Sequence, residues 1–269
     1  MRTIAIANQK GGCGKTTTTV NLAAALAEKG NRTLIVDLDP QGHSTIGFGY
    51  DPDELSMTIY EALINAEVGI SGVTVGTKVE WLDLAPSNVL LSGAEIELSG
   101  VGGRESVLSE KLRMVTDKYD VCVIDCPPSL GLLTLNALVA STDVIVPVQA
   151  HYYAMEGLKQ LFETVNIIAE RFHPCSVKIL GVLLTLVENK TLLSRQIQRQ
   201  MREFFGDLVF DTVIDKSTRL AEAPSAGEPV LTYAPTSKAA AAYRNLAEEI
   251  INGGIVAGQT VGDSNSAGR

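Results

Sequence analysis

The chain has 269 residues, of which 45% are hydrophobic and 5% aromatic, and it carries a formal net charge of −9. This length suits one aliphatic globular domain that buries about three quarters of its unfolded surface, and the charge argues against loose binding of the whole chain to nucleic acid. No apolar run reaches the ~18 residues of a membrane helix, no secretory signal is present, and the four cysteines lack histidines at zinc spacing. We therefore expect reduced thiols in a cytoplasmic protein that binds no membrane.

The first predicted strand is the apolar run at 3–7, which leads directly into the segment NQKGGCGKTT at 8–17. A helix is predicted from Thr16 to about Gly30, because apolar residues recur there at helical spacing. The glycines allow the backbone to curl with its N–H groups inward, while the helix N-terminus and Lys15 add positive charge. The segment therefore predicts a binding site for an anion with several oxygens, and a nucleoside triphosphate such as ATP fits best.

The spacing in this segment is close to the phosphate-binding pattern G-x-x-x-x-G-K-[ST]. Gly14, Lys15 and Thr16 obey the pattern, whereas Gln9 stands where its first glycine belongs. A glycine-rich turn with a stray lysine is the alternative, and the strand–turn–helix context argues against it. The predicted ATP contacts are Lys10, Gly11, Gly12, Cys13, Gly14, Lys15, Thr16 and Thr17.

Strand-end carboxylates follow two further apolar runs. The run at 32–39 ends with Asp37 and Asp39, which face the same side of a strand. The run at 120–128 contains Asp125 at the end of its apolar part, as is typical of an acidic residue beside Mg²⁺ in a nucleotide site. Aspartates that cap turns are the alternative, and the nearby phosphate-binding lysine favours the nucleotide interpretation.

The rest of the chain alternates apolar runs with helical patterns. Further strands are predicted at 81–86, 143–149, 177–187 and 208–214, and further helices at 104–119, 132–141, 155–172, 192–205 and 235–251. This alternation predicts an α/β fold, with a mostly parallel twisted sheet and helices on both faces. Ligands then bind beyond the carboxyl ends of the strands. We interpret 1–252 as a single P-loop domain and the Gly/Ser-rich 253–269 as a flexible tail.

An extra lysine, Lys10, gives the loop the form K-G-G-x-G-K-[ST]-T, which resembles the deviant Walker A motif of the ParA/MinD family of ATPases. The stretches VDLDPQG, DCPPSLGLLTLNAL, VPVQAHYYAMEGL and RLAEAPSAGEPV are similar to stretches of Soj-like ParA proteins, in the same order. This resemblance, over about 2–252, implies an ATPase of chromosome or plasmid partition. It implies a homodimer in ATP that binds double-stranded DNA non-specifically on the nucleoid, and slow hydrolysis stimulated by a ParB-like partner.

The resemblance also implies roles for single residues. Thr16 would hold Mg²⁺, Asp125 would support the metal through water, and Asp37 would lie near the metal shell. Asp39 would orient the hydrolytic water, and Lys10 would reach the partner subunit's phosphates. The implied catalytic set is Lys10, Lys15 and Asp39.

Three positions depart from the pattern of these proteins. Cys13 replaces a common valine, which makes thiol modification a way to block the site. His43 stands where asparagine is usual, and the stretch at 213–220 replaces one that often contains Pro-Arg. The resemblance would place the adenine near Ile214, which lies in the stretch that departs from the pattern.

The helix predicted at 192–205 carries a row of arginines. Its apolar residues are expected to share one face: Leu193, Ile197, Met201 and Phe204. The arginines lie roughly opposite, and a solvated polar face is the alternative to a binding surface. The resemblance implies that basic residues of the C-terminal third contact DNA phosphates without reading bases. The predicted DNA contacts are Lys190, Arg195, Arg199, Arg202, Lys216 and Arg219.

Other functions are possible within the same superfamily. A MinD-like positioning ATPase needs a C-terminal amphipathic helix with basic and apolar faces, and the residues after Ile251 have neither. A biosynthetic enzyme that uses ATP to phosphorylate or amidate a small molecule needs its own substrate residues. His151, Tyr152 and Tyr153 are the candidates for that role. Whether DNA or a small molecule stimulates ATP turnover distinguishes these functions.

Overall fold

One sheet organises the molecule. The structure, a computed structural model, describes residues 1–149, 154–172, 175–188 and 192–259, and it describes side chains for all of these except 154–157 and 254–259. Within those ranges the sheet has seven strands. They are β1 (Arg2–Ile6), β2 (Thr33–Asp37), β3 (Val75–Gly76), β4 (Leu82–Ala85), β5 (Val121–Asp125), β6 (Asp143–Gln149) and β7 (Lys178–Thr185).

The strand order is β3-β4-β2-β5-β1-β6-β7, and every pairing is parallel except that of β3 with β4. β5 lies between β1 and β2, and Asp125 is the register partner of both Ile6 and Asp37. The carboxyl ends of these three strands are therefore level with one another. The predicted α/β fold class, with a mostly parallel sheet, is confirmed.

The helices cover both faces of the sheet. They are α1 (Lys15–Glu28), α2 (His43–Gly47), α3 (Ile59–Ile64), α4 (Ile70–Val73), α5 (Leu91–Glu97), α6 (Val107–Arg113), α7 (Leu132–Val139), α8 (Ala154–Arg171), α9 (Leu192–Phe205), α10 (Thr218–Glu222), α11 (Val230–Tyr233) and α12 (Lys238–Gln259). Among these described helices, none combines the length and apolar character needed to cross a bilayer.

Two hydrophobic cores form because strand side chains alternate between faces. Ile4 and Ile6 of β1 pack with α1 and α12 on one side, and Ala5 packs with α5 to α9 on the other. Burying one such isoleucine contributes about 1.5–3 kcal/mol. Both faces are buried, so β2 from Leu34 and β5 from Val121 are apolar up to their terminal aspartates.

The prediction of a strand at 208–214 is wrong. Within the described residues this segment and Asp215 after it form isolated bridges, Val209 with Val182 and Asp215 with Val187, and no continuous strand. The ring of Phe210 fills the space over Gly181, where an added Cβ would lie 2.6 Å from it. The segment thus runs alongside β7 with isolated hydrogen bonds and does not form a regular strand of the sheet.

Two predicted helices differ in extent from the observed ones. The helix predicted at 104–119 is confined to α6, within Val107–Arg113. The last helix, α12, continues to Gln259, past the boundary predicted at residue 252. Residues 260–269 of the predicted tail lie outside the described residues.

Trp81 has an unusual backbone conformation at the amino end of β4, opposite the strand ends that carry Asp37 and Asp125. It immediately precedes β4, has φ +65°, and is 56% exposed. Its carbonyl accepts a hydrogen bond from the Thr33 N–H at 2.8 Å, where pairing of β2 with β4 begins. A left-handed tryptophan costs roughly 1–2 kcal/mol relative to an unstrained one, so this pairing holds the residue in place.

Candidate functional site

The loop at 8–14 is fixed to the sheet by side-chain hydrogen bonds. Asn8 donates from Nδ2 to the Pro147 carbonyl at 2.7 Å, and its Oδ1 accepts from the Lys10 N–H at 3.0 Å. Thr185 at the end of β7 donates to the Cys13 carbonyl at 2.7 Å. Gly14 caps α1 with φ +88°, a left-handed conformation that suits glycine. The curled loop before a helix N-terminus is thus present as the sequence indicates.

Lys15 is a buried cation at the start of α1. Its ammonium donates to the Lys10 carbonyl at 3.4 Å, and across the described ranges it forms no ion pair with a carboxylate. A buried charge is costly unless it is paired, so this ammonium favours an anionic ligand. Lys10, in contrast, is exposed at the mouth of the loop.

Asp125, at the end of β5, is fully buried beneath the loop. Its Oδ2 accepts from the Ser44 hydroxyl at 2.8 Å, and its Oδ1 accepts from the Thr19 hydroxyl at 3.4 Å. Burial raises the pKa of this carboxylate, while the neighbouring hydroxyls of Ser44 and Thr16 lower it. The structure therefore brings together Thr16 and Asp125, two of the residues predicted to serve Mg²⁺.

Asp37, the third predicted metal residue, lies beside Asp125 on the neighbouring strand and is also fully buried. Thr45 donates to its Oδ2 from both the backbone N–H, at 2.9 Å, and the hydroxyl, at 2.8 Å. Burial raises the pKa of Asp37, and the negative charge of Asp125 raises it further. Two adjacent buried carboxylates favour either a bound cation or a shared proton.

Asp39 follows β2 in a turn at the same mouth and is almost fully buried. Its Oδ1 accepts from the Gln41 N–H at 3.0 Å, and its carbonyl accepts from the Ser87 hydroxyl at 2.8 Å. Lys15, Asp37, Asp39 and Asp125 thus converge at the carboxyl ends of β2 and β5, next to the loop.

The donors Ser44 and Thr45 belong to α2, a helix that the sequence analysis did not predict. They follow the exposed His43 directly and place their hydroxyls on Asp125 and Asp37, respectively. Two hydroxyl residues just after the Pro-Gln-Gly turn were the signal available in the sequence.

A cavity of about 330 Å³ opens beside the phosphate loop. Gly14 and Thr17 form its loop side, Thr185 ends β7 at another side, and the buried Tyr243 of α12 contributes to the lining. Ile214, near which we expect the adenine, also lines it. Its size and mostly apolar surface suit a planar base.

Cys13 lies inside the loop and not on its surface. The residue has no exposed area, its thiol donates to the Lys10 carbonyl at 3.1 Å, and burial raises its pKa. Thiolate is the reactive form of cysteine, so the folded structure opposes the expected blocking of the site by thiol modification. All four cysteines are free thiols.

The five described residues among the predicted DNA contacts lie in the C-terminal third. Arg195 and Arg199 are exposed on α9, Arg202 of the same helix contacts Asp211, and Arg219 lies on α10. Lys216 lines the cavity beside the phosphate loop. Lys190 lies outside the described residues, as do His151, Tyr152 and Tyr153.

The predicted apolar face of α9 is only half correct. Its buried residues are Ser194, Ile197 and Met201, whereas Leu193 is 62% and Phe204 55% exposed. The helix is rotated because Phe205, and not Phe204, packs edge-on against Phe162 of α8, with ring centroids 5.6 Å apart.

Exposed aliphatic residues occur in the chain segments that lead into or out of the site. Ile46 follows Thr45 in α2, Val89 and Leu90 follow the Ser87 segment, and Leu130 lies in the loop after β5. We call these four residues the apolar rim. Each of them lies close in the chain to a residue that forms the cluster or hydrogen-bonds to it.

Comparisons with known proteins give consistent similarities. A protein-family model described as an AAA domain matches residues 1–179. The chain is 46% identical over 251 residues to the sporulation initiation inhibitor protein Soj of Bacillus subtilis, covering 93% of this chain and 98% of that protein. It is 45% identical over 258 residues to the chromosome-partitioning ATPase Soj of Thermus thermophilus, covering 93% and 96%, respectively.

Among solved structures, one similar to this chain is cobyrinic acid a,c-diamide synthase from Mycobacterium smegmatis with bound ADP and magnesium. The TM-score is 0.83 at 38% identity, covering 95% of this chain and 96% of that one. The nucleotide and metal are properties of that structure.

Proposed function

Because the chain belongs to the Soj/ParA-like family of P-loop proteins, we propose that it is an ATPase of DNA partition. It binds ATP and Mg²⁺, dimerises around the nucleotide, binds double-stranded DNA without sequence preference on the nucleoid, and hydrolyses ATP when a ParB-like protein stimulates it. The observation that carries this proposal is the convergence of Lys15 with Asp37, Asp39 and Asp125 at one mouth.

The donor groups at this mouth fit a magnesium–triphosphate. The Lys15 ammonium has only a carbonyl partner at 3.4 Å, so it would neutralise β- and γ-phosphate oxygens. The Thr16 hydroxyl would be a metal ligand beside the Asp125 carboxylate. Bound Mg²⁺ supplies positive charge that neutralises phosphate oxygens.

Asp39 and Lys10 would separate hydrolysis from dimerisation. Asp39 lies in the turn that follows β2, with its carboxylate at the mouth. There it would orient a water molecule for attack on the γ-phosphate. Lys10 is exposed, so it is free to reach phosphates of a second subunit. The apolar rim supports dimerisation at this face, since a second copy would bury it.

A second candidate has a specific observation in its favour. The similar solved structure is a diamide synthase with bound ADP and magnesium, which supports ATP-dependent amidation of a small molecule. The partition proteins are the more similar in sequence, at 45–46% against 38% identity. DNA-stimulated ATP turnover favours partition, whereas turnover that requires a small carboxylic acid and an amino-group donor favours the synthase.

The deciding experiment compares Asp39→Ala with Lys10→Ala, using Asp53→Ala, the same change at an exposed aspartate, as control. We expect Asp39→Ala to keep ATP affinity, lose turnover and accumulate as a dimer in light scattering. Lys10→Ala should bind ATP as a monomer. A monomeric Asp39→Ala protein in ATP, or a normal dimer from Lys10→Ala, contradicts the assigned roles.

A further inference from the structure

The proposed DNA contacts are partly neutralised by acids of the same chain. Lys216 pairs with Glu188 at 2.8 Å, and Arg219 pairs with Glu222 at 2.9 Å. Arg202 lies 3.7 Å from a carboxylate oxygen of Asp211. The basic residues that would contact phosphates are therefore already in contact with carboxylates of the same chain.

The first two pairs are held in place by neighbouring contacts. The Lys216 N–H donates to the Val187 carbonyl at 3.0 Å, next to Glu188 in the chain. Glu222 also accepts from the Tyr233 hydroxyl at 3.3 Å. Each carboxylate is therefore positioned on its cation by the backbone or by a second donor.

These pairs remain accessible to a large ligand. The side chains of Lys216 and Arg219 are 68% and 57% exposed, and those of Glu188 and Glu222 are 51% and 47% exposed. An exposed ion pair is weak in water, so a dense row of phosphates can displace such a carboxylate. Displacement still lowers the gain from each contact.

We propose that Glu188 and Glu222 are internal competitors of DNA phosphates for Lys216 and Arg219, and that they set the threshold for DNA binding. This inference rests on the proposed function, because it concerns the same DNA-binding step. A monomer makes few contacts to DNA phosphates, and the two carboxylates weaken those of Lys216 and Arg219. A dimer makes twice as many phosphate contacts, while the competition at each cation stays the same. The acids thereby make binding depend on dimerisation.

The same segment also adjoins the candidate nucleotide cavity. Lys216 and Thr218 line that cavity together with Gly14 of the phosphate loop, and Arg219 follows them directly. The competing carboxylates thus act on cations at the boundary between the two proposed binding sites.

The test removes each acid's charge without changing its shape. Glu188→Gln, Glu222→Gln and the double variant are compared with Glu203→Gln, which makes the same charge change at an exposed position of α9. Among the described residues Glu203 forms no ion pair. Binding of a fluorescein-labelled 30-base-pair duplex is followed by anisotropy over a salt series, with and without ATP. Inorganic polyphosphate is the second probe, and thermal melting and ATP titration check the fold.

We expect each paired-acid variant to bind the duplex roughly two- to fivefold more tightly than the Glu203→Gln control. The double variant should also show measurable binding without ATP. If wild type binds DNA and the paired-acid variants only match the control, the competition is overturned while the proposed function stands. If wild type fails to bind and the variants bind, the competition is supported and the DNA step is removed from the native protein. If no protein binds the duplex, a selective gain on polyphosphate supports the competition and rejects DNA as its ligand, whereas no gain overturns both.

Discussion

The mouth of the phosphate loop and the surface of α9 and α10 both carry clustered charges, but they stabilise them in opposite ways. Asp37 and Asp125 are fully buried and accept several hydrogen bonds each. Lys216 and Arg219 are exposed, and in the described part of the chain each pairs with one carboxylate. An unsatisfied buried group costs about 1–3 kcal/mol, whereas an exposed ion pair contributes about 0–1 kcal/mol. The stability of the fold therefore depends on the hydrogen bonds of the charged groups at the mouth, whereas the charged groups on the outer surface are available to ligands.

The largest effect should come from a change of Lys15, the buried lysine for which the described residues provide no ion pair. Lys15→Ala removes the ammonium that would neutralise the phosphates, and we expect at least about a hundredfold loss of ATP affinity and no ATP-dependent dimer. Titration calorimetry measures the affinity, with the exposed Lys78→Ala as control. An unchanged affinity would refute the site assignment.

A change of one hydroxyl at the mouth should weaken the fold itself. Thr45→Val keeps the shape but removes the hydroxyl that donates to Asp37 and accepts from the Ser87 N–H. We expect a loss of about 2 kcal/mol in the free energy of unfolding, measured by urea denaturation, and near-normal stability for Thr45→Ser. Equal stability of the two variants would mean that the buried carboxylate does not depend on its donors.

Changes on the outer surface should leave the fold intact and alter binding alone. Arg219→Glu is expected to weaken DNA binding about tenfold with ATP-dependent dimerisation preserved. Replacing Arg195, Arg199 and Arg202 with glutamine should reduce the salt slope of binding by about 0.9 for each phosphate that is no longer neutralised. The free energy of unfolding should stay within about 0.5 kcal/mol of wild type. Filter binding measures the first two effects, and a large stability loss would break the distinction between the regions.

The smallest expected effect concerns Cys13, a residue of the mouth that is buried and yet uncharged. A thiol reagent applied to the folded protein should label Cys175, which is partly exposed, well before Cys13. Peptide mass spectrometry after brief labelling gives the order. Early labelling of Cys13 would indicate that the loop opens frequently.

The sequence predicts best where the necessary residues are contiguous. The phosphate loop, Asp37 and Asp125 follow from strand ends and glycine spacing, because a parallel sheet brings such ends to one edge. The strand order itself, and the level register of Asp37 with Asp125, come from pairings between distant segments that no local pattern specifies.

What the sequence missed depends on packing between segments. Ser44 and Thr45 lie in a helix of only five residues, too short for a periodic signal. The segment at 208–214 is rich in β-branched and apolar residues like a strand, but its Phe210 ring packs into the space over Gly181. The phase of α9 was predicted from hydrophobicity alone, whereas the packing of Phe205 against Phe162 sets it.

The lone tryptophan has a practical consequence for every experiment above. Trp81 is half exposed beside the amino end of β4, at the edge of the sheet opposite the carboxyl ends that hold Asp37 and Asp125. Its intrinsic emission should therefore shift when the β2–β4 pairing melts and should change little when nucleotide fills the mouth. Emission spectra of the unlabelled protein thus distinguish unfolding from loss of bound nucleotide in a single sample.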